Sequence, residues 1–306
     1  MKLVISASPH IDSGATTRKI MGDVLIALLP ALIAAVIIFG WRALLVTAVC
    51  AAACVFFEWG FEKLCHKPST IDDLSAVVTD VILAYNLPVS IPLWQAVFGC
   101  LVAIVAVKQL FGGIGKNFAN PALVGRIVLF LSFSKTMTAW VFPDAVSTAT
   151  PLAVMAAGGK LPGLLDMFLG VKGGCLGEVS VLALLIGFAW LLFRRVIKWH
   201  VPVIFIGTVF VLYLVFTGSF QMALAEILAG GLFIGAIFMA TDYVTSPITL
   251  KGKMVFALGC GLVTFIIRYF CAYPEGVSFS ILAMNILTPY IEKFTANTPL
   301  GGSKNG

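Results

Sequence analysis

Long apolar runs alternate with short polar breaks along the whole chain, and the runs have the length that a bilayer sets for a helical span, about 17–25 residues. They fall at about 21–40, 43–62, 72–87, 93–111, 119–133, 176–193, 200–217, 222–240, 252–270 and 276–293. The third ends at Asn86-Leu-Pro88, and the fifth follows the glycine-rich stretch Gly112-Gly113-Ile-Gly115. Both are short, so tilted or half-spanning helices are expected there. The pattern predicts an all-α polytopic membrane protein with about ten transmembrane helices. Its parts are an N-terminal segment (1–20), a first membrane repeat (21–133), a loop (134–175), a second membrane repeat (176–293) and a tail (294–306).

Five runs on each side of the 134–175 loop place the two halves in opposite orientations across the membrane. A weak internal similarity accompanies this: ILAYNLPVSIP (82–92) after the third run matches IFMATDYVTSP (237–247) after the eighth. Each is an apolar helix end followed by a polar side chain and a proline. Interrupted helices at matching positions of two inverted halves point to a binding region between them.

Composition agrees with the membrane reading and adds an orientation. Of 306 residues, 60% are hydrophobic and 11% charged, against about a quarter charged in soluble domains. The net charge of +6 comes from basic residues scattered singly or in pairs between apolar runs, a topology signal and not a nucleic-acid surface. With the N-terminus inside, fourteen of the twenty lysines and arginines fall in cytoplasmic segments, five in external ones, and Arg126 within the fifth run. Both termini are then cytoplasmic and the 134–175 loop external. The polar first twenty residues are expected to be no cleaved signal peptide. Seven cysteines occur without a CxxC pair, which speaks against an iron-sulfur centre or a disulfide scaffold in this chain and makes them small packing residues.

Polar residues at membrane depth are costly there, so each asks for a reason. Asp23 sits near an interface and reads as a helix-start carboxylate. Asp80 and Glu226 lie deeper, where pairing inside the bundle and an ion or proton path are both open. Three stretches combine polar groups with broken helices. GGIGKNFANPALVGRI (112–127) offers Asn117, Asn120 and Arg126 around a helix start. MATDYVTSPIT (239–249) clusters Thr241, Asp242, Thr245 and Ser246, and RYFCAYPEGVSFSILAMN (268–285) holds Arg268, Tyr273, Glu275 and Asn285. Taken alone, each reads first as a turn with helix caps; their presence together in one chain shifts the balance towards a site.

The largest polar block is VFPDAVSTATPLAVMAAGGK (141–160), with hydroxyls at Ser147, Thr148 and Thr150 and a carboxylate at Asp144. Together with SPHIDSGATTRKIMGDVLIALLPA at the start, KQLFGGIGKNFANPALVGRI, DAVSTATPL, MATDYVTSPIT followed by LKGK, and YPEGVSFSILAMNILTP, it makes the chain resemble one family of membrane subunits. That family includes RnfD of the ion-translocating Rnf electron-transfer complex and NqrB of the sodium-pumping NADH:quinone oxidoreductase. The short N-terminus and the MATDYVTSP wording resemble the Rnf members more closely.

The resemblance implies FMN joined through its phosphate to a threonine in a D-x-x-[S/T]-G-A-T segment. Here that segment maps onto Asp144, Ser147, Thr148, Ala149 and Thr150, with Thr148 standing where the family more often has glycine. Thr150 is the expected attachment site. Ser13-Gly-Ala-Thr16 fits the short form of the motif better, yet His10 replaces the acid and Arg18 and Lys19 place it on the cytoplasmic side, whereas flavin attachment in the family resembles an external event. The resemblance further implies a flavin site drawing on Asp144, Ser147, Asn117, Asn120, Arg126, Asp242, Thr245 and Ser246, with room for riboflavin or another second flavin. It implies a urea-transporter-like fold, electron relay between ferredoxin and NAD coupled to Na⁺ or H⁺ movement, and a bacterial inner-membrane location. The implied partners are other Rnf-type membrane subunits, peripheral iron-sulfur and flavin subunits, and a flavin transferase. Neither a dinucleotide loop nor a cysteine cluster is present, so NAD and the iron-sulfur centres belong on those partners. The competing readings are a channel or secondary transporter on the same fold, and a quinone-linked subunit like NqrB.

Overall fold

The computed structural model describes residues 16–140, 151–156, 163–170, 172–178, 180–271 and 276–296. The 144–150 segment, with Asp144, Ser147 and Thr150, lies outside the described residues, as do Tyr273 and Glu275. Among the described residues there is no strand, and helices occupy every apolar run. In order these are α1 (Thr17–Phe39), α2 (Trp41–Leu64), α3 (Ser75–Tyr85), α4 (Leu93–Leu101, continued by a π-helical stretch Val102–Gln109) and α5 (Pro121–Ser132). Three short helices follow: α6 (Ser134–Met137), α7 (Pro151–Ala156) and α8 (Leu164–Leu169). The second series is α9 (Val181–Phe193), α10 (His200–Thr217), α11 (Phe220–Leu228), α12 (Leu232–Ile234, continued by a π-helical stretch Gly235–Met239), α13 (Leu250–Phe270) and α14 (Gly276–Thr295).

Local sequence accounts for the ends. Thr16 caps α1 by accepting from the Lys19 N–H, and Asn120 caps α5 by accepting from Ala122 and Leu123, with Pro121 at the first helical position. Gly40 joins α1 to α2 at φ 77°, ψ −165°, a conformation that excludes a side chain.

Among the described residues four helices, α1, α2, α10 and α13, are long and apolar enough to cross a membrane, and α11 with α12 and its π-helical continuation forms a pair bent by 66°, a broken span or a re-entrant loop. Their outer faces carry exposed apolar residues at helical spacing, such as Ile26, Leu29, Ile33 and Ile37 on α1 and Val255, Leu258, Leu262 and Ile266 on α13. Such stripes suit lipid. Four to five membrane-capable helices stand against the expected ten, although each apolar run holds helix. α3, α5 and α9 have 11, 12 and 13 residues; at 1.5 Å per residue they reach about 16–20 Å, short of a hydrocarbon core of about 30 Å. The eighth run is interrupted twice: inside the run at 229–231, where Gly230 takes φ 64°, and again in the expected motif, where the second π-helical stretch ends at Met239 and α13 begins only at Leu250.

The helices pack in two similar groups. α2 lies against α3 and α4, with α5 on α4, while α10 lies against α11 and α13, with α14 on α13. Across the groups, α1 packs on α9 and α5 on α14. At the α1–α9 crossing a Cβ on Gly187 would stand 2.1 Å from the Ala27 carbonyl oxygen, so only glycine permits it.

A broken helix exposes backbone carbonyls that lipid cannot satisfy. At the first break the segment 175–177 lies along 85–87: Gly177 N–H donates to Tyr85 O (2.8 Å), Leu176 N–H to Leu87 O (3.0 Å) and the Cys175 thiol to Asn86 O (3.2 Å). Arg42 donates to Val89 O and Ile91 O just beyond. At the second break Arg268 donates to Glu226 O and Ala229 O, and Lys172 to Leu228 O. Thus residues 172–178 serve both breaks.

A Cβ on Gly177 would sit 2.4 Å from the Tyr85 Cβ, a backbone-anchored clash. Gly177→Ala is expected to destabilise the chain by about 1–3 kcal/mol, the usual scale of overpacking, seen as a lower thermal midpoint in detergent. Gly207→Ala, where nothing lies within 4 Å, is expected not to lower it.

Candidate functional site

The π-helical stretch at the end of α4 turns Lys108 and Gln109 inward together, and both are buried. Lys108 Nζ lies 2.7 Å from Glu58 Oε1 on α2 and donates to Ser75 Oγ at the start of α3 (2.6 Å). Gln109 and Thr70 also donate to Glu58 Oε1, and Thr70 further donates to Glu62 Oε1. The second oxygens of Glu58 and Glu62 have no hydrogen-bond partner. A buried pair of this kind offsets little more than its own desolvation, but it fixes geometry, because losing either partner leaves an uncompensated charge.

Lys108 is also part of the wall of a cavity of about 110 Å³ between the two helical groups. Its apolar walls include Met21, Val24, Ile82, Ile237 and Phe238; its polar rim includes Ser75, Thr79, Asn117, Asn120, Thr241 and Asp242. The Asn117 side-chain carbonyl is buried there without a hydrogen-bond partner, which leaves an acceptor for a donor inside the cavity. Asp242 sits in the turn after the second π-helical stretch, where Val244 N–H and Thr245 Oγ1 donate to its carboxylate. Burial pushes that carboxyl up, and those two donors pull it back. Tyr243 closes one side by donating to Val196 O.

The expected site residues therefore separate. Asn117, Asn120 and Asp242 meet at this cavity. Thr245 and Ser246 do not reach it: Thr245 holds Asp242 and accepts from Thr288 through its carbonyl, and Ser246 lies in a second cleft with Lys198 and Lys253. Asn285 ties the two stretches together in the amide orientation that suits its neighbours, donating to Thr245 O and accepting from Asn120 N.

Arg126 is not at the cavity either, because it lies more than a turn into α5. There it donates to Asn86 Oδ1 and Ser278 Oγ (2.8 Å each) and pairs with Glu178 at 3.2 Å. A Cβ on Gly231 would meet Glu178 Oε1 at 2.5 Å. Arg126 and Glu178 thereby connect the first break, the second break and α14. Glu226, one of the deep carboxylates, stands 3.8 Å from Arg268, whereas Asp80 has no hydrogen-bond partner on either oxygen. Asp23 pairs with Arg194 at 3.0 Å near the start of α1.

The sequence reading missed Lys108, Gln109 and Tyr243. Lys108 counted only as a topology lysine; its position facing Glu58 depends on a π-helical register that no apolar periodicity reveals. A tyrosine at the cavity and a glutamine turned toward Glu58 carry no sequence signal at all.

Lys108→Met leaves Glu58 buried without its cation and is expected to cost about 3–5 kcal/mol, read from the thermal midpoint, with the double variant Lys108→Met/Glu58→Gln recovering most of it. A pH dependence comes from Lys172: burial holds its ammonium down to about 8, against 10.5 for an ordinary lysine, with Glu178 opposing that shift and Arg268 adding to it. Between those values the unfolded chain binds the proton and the folded chain does not, so this group's contribution to stability rises with pH across that window. Lys172→Met is expected to flatten that rise in midpoints measured across the window from about 8 to 10.5.

Comparison with known proteins gives this geometry a context. The profile of the NQR2, RnfD, RnfE family matches residues 4–301. The chain is 47% identical, over 99% of its length and 97% of the relative's, to the D component of a Na⁺-translocating ferredoxin:NAD⁺ oxidoreductase complex from Acetobacterium woodii. It is 41% identical, over 97% and 96%, to the D component of a proton-translocating ferredoxin:NAD⁺ oxidoreductase complex from Clostridium ljungdahlii. Identity is 34%, over 99% of both chains, with the D component of an ion-translocating oxidoreductase complex from Actinobacillus succinogenes. An end-to-end match of this kind, to the family profile and to full-length relatives alike, settles membership: the chain belongs to the NQR2, RnfD, RnfE family.

Proposed function

We propose that this chain is a membrane subunit of an ion-translocating ferredoxin:NAD oxidoreductase complex, relaying electrons through FMN esterified to Thr150. The observation that carries the reading is 47% identity over 99% of the chain to the D component of such a complex. The two relatives most informative about the ion differ, one named for Na⁺ and one for protons, so the chain is assigned to the class and not to one cation. Its partners are the other Rnf-type membrane subunits, peripheral iron-sulfur and flavin subunits, and a flavin transferase acting on the loop. A flavin supplies a carrier that takes electrons one or two at a time, which suits a link between one-electron donors and later carriers.

What this chain's residues do can be derived from their positions. Pro151 and Leu152, directly after Thr150, are buried, and Leu152 packs on Gly230 at the second break. Pro151 and Leu152 thereby belong to the layer that holds Lys172, Arg268, Glu178 and Arg126. The cavity with Asn117 and Asp242 sits at the other end of α3, where Ser75 and Thr79 line it. Its unpartnered Asn117 oxygen and apolar walls support a second, non-covalent flavin such as riboflavin, which Asn117 would hold by accepting a hydrogen bond and Ile82 and Phe238 by apolar contact. At about 110 Å³ the cavity is smaller than the roughly 300 Å³ at the lower end of ligand sites, so a flavin would have to widen it on binding.

The matching neighbours of α2 and α10, and of α4 and α13, support two repeats of inverted orientation in a urea-transporter-like arrangement. Grouping of charges supports the cytoplasmic placement of one end: Lys67 reaches Gln109 O beside Lys108, Arg194 pairs with Asp23, and Lys198 lies near Lys253. Arg42 and Lys172 serve the opposite layer.

The test is fluorescence of the denatured chain on a gel after co-expression with the flavin transferase. Fluorescence is expected in the unaltered chain and in Thr16→Ala, and none in Thr150→Ala. Fluorescence lost only in Thr16→Ala would move the site, and none in any of the three would favour a transporter on the same scaffold. For the second flavin, acid extraction of the purified complex is expected to release a non-covalent flavin that falls several-fold in Asn117→Leu.

A further inference from the structure

We propose that Cys50, Asp80 and Cys100 are ligands for a single zinc ion inside the first helical group. The three come from three helices, α2, α3 and α4, that pack on one another, and each is fully buried. Their ligand atoms all lie within 4.8 Å of one another. A tetrahedral zinc with bonds of about 2.0–2.3 Å separates its ligands by roughly 3.3–3.8 Å, so closure requires shifts of the order of an ångström, which rotamer adjustment supplies.

Asp80 is the observation that asks for a cation. Both of its carboxylate oxygens are buried without a hydrogen-bond partner. The nearby thiol does not serve it, since Cys100 Sγ donates to Cys50 O at 3.8 Å. The neighbouring buried carboxylate Glu58, by contrast, is met by Lys108, Gln109 and Thr70. Burying a carboxyl with nothing to satisfy it is expensive, and natural interiors rarely do so. Its place beside two thiols makes a mixed sulfur and oxygen donor set, which suits zinc and not the oxygen-preferring cations Na⁺, Mg²⁺ or Ca²⁺.

Cys54, one turn along α2 from Cys50 and beside Cys100, is placed to complete four-coordination. As the ion enters, the thiol protons of Cys50, Cys54 and Cys100 leave to solvent. Three thiolates and the Asp80 carboxylate around Zn²⁺ then leave two net negative charges, in the same helical group as the Lys108 ammonium. The ion would act as a clamp on α2, α3 and α4, and so on Ser75, Thr79 and Lys108 at the cavity. It leaves Thr150 untouched, so failure here and failure of the flavin reading are separate outcomes. The absence of a CxxC pair argued for these cysteines as packing residues; the ligand set is assembled only by folding, from positions 50, 80 and 100.

The experiment is zinc content of the intact purified complex by mass spectrometry of the elements, with assembly checked by size exclusion and by gel fluorescence of the attached flavin. The unaltered complex is expected to hold about one zinc more per copy of this chain than Cys100→Ser or Asp80→Asn, with affinity in each reduced about tenfold or further. Cys260→Ser, a buried thiol of the second group, is expected to match the unaltered protein. If the variants do not assemble, the zinc absorption edge of the unaltered complex decides: sulfur scatterers at about 2.3 Å support the site. Less than about a tenth of a zinc per chain, zinc unchanged by both variants (an adventitious ion only), or a shell of nitrogen and oxygen alone overturns the proposal.

Discussion

Interrupting a helix at membrane depth leaves backbone carbonyls that neither lipid nor water can satisfy, and this protein answers that constraint with one short segment. Residues 172–178 pair along the first break through Gly177, Leu176 and Cys175 and reach the second through Lys172. Glu178 then joins Arg126 to the same layer. Arg42 and Arg268 complete the set from α2 and α13. Without these donors the breaks would be untenable, and without the breaks the cavity at the far end of α3 and of the second π-helical stretch would have no shape.

The same logic explains why charge is buried where it is. Lys108 and Glu58 lie at the opposite end of α3 from Asn86, and there the π-helical register of Val102–Gln109 turns two successive polar side chains inward. Such pairs hold a geometry and add little net stability. Lys108 connects that geometry to the cavity, whose wall it shares with Ser75.

Much of the architecture is written in the apolar runs: every run holds a helix, and Asn120-Pro121, Thr16 and Gly40 mark ends as their chemistry requires. What hydropathy could not give is length at depth. α3 and α5 are largely buried among neighbours while α9 keeps Leu182, Ile186 and Phe193 exposed, and a short apolar helix and a full span look alike in composition. Asn117, Asn120 and Asp242 do converge, because each sits in a turn at the same end of the fold. Arg126 does not join them, since it is needed by Asn86, Ser278 and Glu178. The break at Gly230 was invisible because a Gly-Gly pair in an apolar run resembles ordinary membrane-helix composition. Lys108 and the Cys50, Asp80 and Cys100 group required knowledge of which helices touch.

The central claim is that Thr150, two residues before the buried Leu152, carries a flavin and makes the chain an electron carrier. Its most direct measurement is mass spectrometry of tryptic peptides from the purified complex. The peptide covering 136–160 is predicted to carry the mass of FMN less one water, with fragmentation placing it on Thr150. An unmodified 136–160 peptide, or the flavin found on a peptide containing Thr16, would contradict the account.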